Sequence, residues 1–171
     1  MNTQHVLDLL RAARQRGDYA TVADEADVWE VETRSQPAIA LERARLRMLQ
    51  GNMRAARATL DEANSDAASK AERWLIDLEL ATVSIFSELA IRSALRTANA
   101  ATAVLPSITD EGDQAEIEWV CSRIRLIGVV YYEVDVESGR RIRDRLPYLG
   151  EVLLHTGRVD RGLAVLLEYA P

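Results

Sequence analysis

Two glycines, Gly17 and Gly51, stand 34 residues apart, and each interrupts a stretch in which apolar residues recur at helical spacing. A glycine inside a helix costs about 1 kcal/mol relative to alanine, so a break at each position is favoured over one continuous rod. The flanks correspond in kind. "RQRGDYATVADEA" and "MLQGNMRAARATL" both run from a polar or basic helix end through glycine to Asp18 or Asn52 as an N-cap, with Tyr19 or Met53 opening a second helix. A third copy, "LLHTGRVDRGLAVLLEYA", places Gly157 before Arg158, with Gly162 five residues on where Ala56 follows Gly51. A two-helix unit cannot bury its apolar face alone, so a chain built on such a step folds by stacking its units.

Composition agrees with helices. Alanine, leucine, arginine and glutamate dominate, and only 8 glycines and 4 prolines punctuate the 171 residues, which makes the chain all-α. Helices are expected near 3–16, 19–32, 37–50, 53–64, 67–86, 88–104, 113–133, 136–145, 147–156 and 158–169, giving about five antiparallel pairs in a single domain over 1–171. Pro37 and Pro147 each suit the first helical position, where a missing N–H costs nothing. Asp113 with Glu116 three residues later reads as a capping box. Val6, Leu9, Leu10 and Ala13 form one apolar face, and Ile39, Ala40, Leu46 and Leu49 another. The last helix, with Val159, Leu163, Leu166, Leu167 and Ala170 on one side, is too apolar for an outer cap. It is expected to continue into further chain of a longer protein or to pack on a second copy.

These residues resemble the tetratricopeptide repeat family, whose 34-residue helix-turn-helix units carry small residues where two helices touch. Counted from Pro37, the small or apolar positions fall on Ala44, Gly51, Ala56, Leu60 and Ala63; Leu149-Gly150 matches the leucine-glycine pair of the family's first helix. Val22 and Trp29 depart from the pattern in the first unit, and in the middle Ala94 and Ala101 hold the small positions without a glycine at the turn. The resemblance implies a right-handed superhelix with a concave groove lined by first helices. Its groove positions fall on Gln4, Leu7, Arg11, Arg14 and Gln15 and on Leu41, Arg45 and Met48, with Arg11 and Arg45 equivalent. The family's carboxylate clamp uses lysine and asparagine, and neither occurs at these places. Arginine binds a carboxylate through two parallel hydrogen bonds, which would suit a ligand carrying an acid and an apolar group. Against this, Arg11 and Arg45 each follow an acid, Asp8 and Glu42, by three residues and can pair along the helix.

Chemistry-bearing residues are sparse. The net charge is −6, and residues 61–119 hold 12 acids against 4 bases, which disfavours general attraction to nucleic acid. "RRIRDR", Arg140 to Arg145, reads as a solvated helix face. Cys121 is the single cysteine, so no intrachain disulfide forms. His5 and His155 have no ligand partners at metal spacing, and no glycine-rich phosphate loop occurs. The reading is a cytoplasmic, bacterial, non-catalytic scaffold without cofactor or metal that binds a protein or peptide partner, neither nucleic acid nor membrane. Two alternatives stand beside it: a ligand- or peptide-sensing module of a signalling or transcription-regulator protein, and a homodimer through the C-terminal helix.

Overall fold

A computed structural model describes residues 3–17, 29, 31–63, 66, 68–132, 136–159, 162, 163 and 166. Among them all regular structure is helical. The chain divides into two compact units, Met1–Leu89 and Ala90–Pro171.

The first unit holds α1 (Thr3–Arg16), the short α2 (Val31–Arg34), α3 (Pro37–Leu49), α4 (Met53–Asp61) and α5 (Lys70–Glu88). The helix expected over 19–32 lies for the most part outside the described residues. α3 is central: α1, α4 and α5 all pack on it, and α4 also lies against α5. Val6, Leu7 and Leu10 of α1 meet Ile39 and Leu46 of α3, with Trp29 and Ala38 against the cluster. Leu9, expected on this face, is 44% exposed, and Leu7 takes its place at 7%. At 100° per residue Leu7 lies about 60° from Leu10 and Leu9 about 100°, so a stripe centred on Leu10 takes in the former. Ala44 and Ala56, the small positions of the α3–α4 hairpin, are both fully buried.

The hairpin turns where the glycine places it. Gly51 adopts φ 76, a left-handed conformation that a side chain resists. Its N–H donates to the Met48 carbonyl at 2.9 Å and that of Asn52 to the Arg47 carbonyl at 2.9 Å, the Schellman pattern that satisfies the last carbonyls of α3. Asn52 then caps α4 by accepting the Ala55 N–H at 3.1 Å. Gly157, at φ 80, repeats the motif: its own N–H reaches Leu154 at 3.1 Å, and the Arg158 N–H reaches Leu153 at 2.8 Å. Gly17 shares the conformation at φ 74. α5 opens on a capping box in which Ser69 accepts the Glu72 N–H and Glu72 the Ser69 N–H. It ends on Leu89, in the left-handed region at φ 54 and 38 positions after Gly51. The helix is one turn longer than the 34-residue step allows, and its left-handed end falls on leucine.

The second unit holds α6 (Ile91–Val104), a 3-10 turn (Leu105–Ser107), α7 (Glu111–Tyr132) and α8 (Val136–His155). α7 packs on both α6 and α8. Ile91, Ala94, Ala98 and Ala101 give α6 one buried stripe. Arg125 of α7 ties the pair together at the surface, donating to Asn99 Oδ1 at 3.1 Å and Thr102 Oγ1 at 2.7 Å on α6.

Two expectations are corrected here. The N-cap of α7 is Asp110 rather than Asp113: Asp110 Oδ1 accepts the Asp113 N–H at 2.8 Å, which places Asp113 inside the first turn. Pro147 does not open a helix. It lies within α8, which runs unbroken through the two expected segments 136–145 and 147–156, so the scheme of five separate pairs does not hold. A proline in a helix interior costs about 3 kcal/mol because it removes the bond to the carbonyl four residues back, here that of Arg143. The buried row of Leu146, Leu149 and Leu153 outweighs this at about 1.5–3 kcal/mol for each side chain. Pro147→Ala restores the missing donor and is expected to stabilise the chain by about 1–2 kcal/mol in urea unfolding. A loss of stability would show that the proline ring is itself needed for packing.

Beyond Gly157, the described residues Val159, Gly162, Leu163 and Leu166 are helical. Leu167 and Ala170, expected on the apolar side of that helix, lie outside the described residues. Gly162 meets Gly150 of α8 backbone to backbone: a Cβ built on Gly162 would stand 2.7 Å from the Gly150 carbonyl oxygen and from Leu154 Cγ.

Candidate interaction surface

The residues expected to line a groove fall into two environments. On α1, Gln4 is exposed and donates from Nε2 to Asp8 Oδ1 at 2.8 Å, while Arg11 Nη1 approaches the same oxygen at 3.9 Å. Asp8 thus draws Gln4 and Arg11 into one polar strip along the helix. Leu7 is in the core described above. The side chains of Arg14 and Gln15 lie outside the described residues. On α3, Leu41 is buried, Met48 half-buried and neighbouring Leu49 exposed.

Arg45, the residue equivalent to Arg11, is only 5% exposed. Its guanidinium is divided between two carboxylates: Nη1 donates to Glu42 Oε1 at 2.8 Å, and Nε donates to Glu79 Oε1 at 2.9 Å. Glu42 is the partner three residues back on the same helix, as the spacing allows. Glu79 belongs to α5, is fully buried, and stands 34 residues after Arg45, the same step that relates Arg45 to Arg11. Position 79 escaped the sequence reading because a repeat search seeks likeness, whereas this contact joins opposites. The fork of Arg45 therefore holds two helices in register, and among the described groove positions the polar side chains that reach solvent are Gln4 and Arg11, beside Asp8.

In the second unit Cys121 is buried between α6 and α7, with Sγ 3.5 Å from the Ala98 carbonyl oxygen. Burial pushes its thiol up to about 11, which leaves little thiolate at neutral pH. His5 and His155 are both exposed, and no cluster of three metal-binding side chains occurs among the described residues. Arg140, Arg141, Arg143, Asp144 and Arg145 are exposed on α8. Arg145 binds the Glu118 carboxylate of α7 through both Nε and Nη2 and lies 5.5 Å from the Tyr148 ring centroid. The segment is a solvated helix face on which Arg145 makes a contact to α7. No described helix is long and apolar enough to cross a membrane.

No protein-family model, curated protein or solved structure matches the chain.

Proposed function

We propose that the chain is a helical-repeat interaction module of the tetratricopeptide type, which binds a peptide segment or partner domain and carries out no reaction of its own. The observation that supports this most is the Arg45–Glu79 bond across one 34-residue step, together with the packing of α1 and α5 on α3. Hairpins that stack on equivalent positions extend a surface rather than enclose a site, and such surfaces serve recognition. The strip of Gln4, Asp8 and Arg11 offers polar contacts, and Met48 with Leu49 offers apolar ones.

Selection from a random peptide display library against the immobilised chain tests the reading. Enriched peptides should share a motif and bind the Arg11→Ala/Met48→Ala variant about tenfold more weakly or worse, with circular dichroism unchanged. Failure to enrich any motif, or peptides indifferent to the double substitution, removes this face as the binding surface.

A further inference from the structure

Among the described residues the backbone turns left-handed at four places, and three of them are glycines, Gly17, Gly51 and Gly157. The fourth is Leu89, at φ 54, between α5 and α6. A side chain raises the cost of this conformation, which persists only where the surroundings impose it. Leu89 gains little from packing in return, since it is 76% exposed. The residues through the break, "SELAIR" over 87–92, include no glycine, proline or asparagine to stop a helix.

The charges at the break oppose two helix ends and suit one continuous helix. Glu88 is the last residue of α5, where the helix dipole favours a cation, and Arg92 stands in the first turn of α6, where it favours an anion. Ala90 precedes α6 without a side-chain cap, whereas α4 and α5 open on Asn52 and Ser69. With Leu89 and Ala90 helical, the N–H groups of the first turn of α6 would meet the carbonyls of the last turn of α5. Glu88 would then stand four residues before Arg92, the favourable order for an ion pair along a helix. Glu88 already meets Arg57 of α4 at 2.9 Å, and a carboxylate accepts several donors, so both bonds can stand. The cores permit the same change. Continued at 100° per residue, the buried stripes of α5 and α6 lie roughly 140° apart round one axis, so each keeps a face of its own.

We infer that Leu89 and Ala90 form a two-state hinge: with Leu89 left-handed the chain has two helices, and with both residues helical α5 and α6 fuse into one helix over 70–104. Each compact unit keeps its own helices in either state, and the junction alone changes.

Backbone nitrogen and Cα relaxation dispersion on the full chain reads exchange of this kind on the μs–ms timescale. The parent is expected to show a minor state at residues 88–93 whose Cα shifts at Leu89 and Ala90 are helical. Leu89→Gly, which relieves the left-handed form and weakens the fused helix, should lower the minor population about tenfold. Leu89→Ile, whose branched side chain resists positive φ, should raise it about fivefold. Arg92→Glu repels Glu88 only in the fused helix and should lower it about threefold. Both substituted positions are exposed, so α3 shifts should not move. Dispersion that is flat in both the parent and Leu89→Ile, a minor state without helical shifts at Leu89, or exchange that survives in Leu89→Gly would each overturn the hinge.

Discussion

Arg45→Met is expected to lower unfolding stability by about 3–5 kcal/mol, the usual cost of breaking a buried ion pair from one side. Methionine replaces most of the stem and its packing, so the loss isolates the guanidinium. What suffers is Glu79, fully buried on α5, which loses its 2.9 Å bond from Arg45 Nε. The triple variant Arg45→Met/Glu42→Gln/Glu79→Leu is expected to regain most of that loss, because a buried charge cluster exchanged for apolar groups of similar volume is often neutral. Urea unfolding followed by tryptophan fluorescence reads both. A single variant within about 1 kcal/mol of the parent would mean that solvent reaches Glu79 and that the pair is weaker than its burial implies.

Gly162→Val sets two effects against each other. Replacing glycine in a helix gains roughly 0.3–0.5 kcal/mol in propensity for a β-branched residue. The new Cβ meets the Gly150 carbonyl oxygen at 2.7 Å, and backbone cannot rotate aside as a side chain can. Overpacking of this kind costs about 1–3 kcal/mol, with valine at the upper end, so a net loss of about 2–3 kcal/mol is expected in the docking of this stretch. Exchange at the Gly162–Leu166 amides measures it. Slower exchange than in the parent would mean that the two backbones stand further apart than described.

Much of the first unit was legible in the residues. Gly17 and Gly51 mark turns with φ 74 and 76, Pro37 opens α3, and the small Ala44 and Ala56 are buried, because each of these rests on a local rule that tertiary packing had no reason to override. The misses share a different cause. Pro147 obeys a local rule in sequence, yet three buried leucines on one side of α8 decide the matter against it. The N-cap expected at Asp113 falls three residues earlier, on Asp110, because the first helical residue is Glu111. Arg45 carried both readings at once, and its burial against Glu79 chose packing over ligand binding.

The extra turn of α5 reaches beyond its own helix. Four added residues carry the end of a helix about 6 Å further along its axis and about 40° round it. The left-handed residue that closes α5 therefore stands 38 rather than 34 positions after Gly51, so the step from Gly17 to Gly51 is not kept at Leu89.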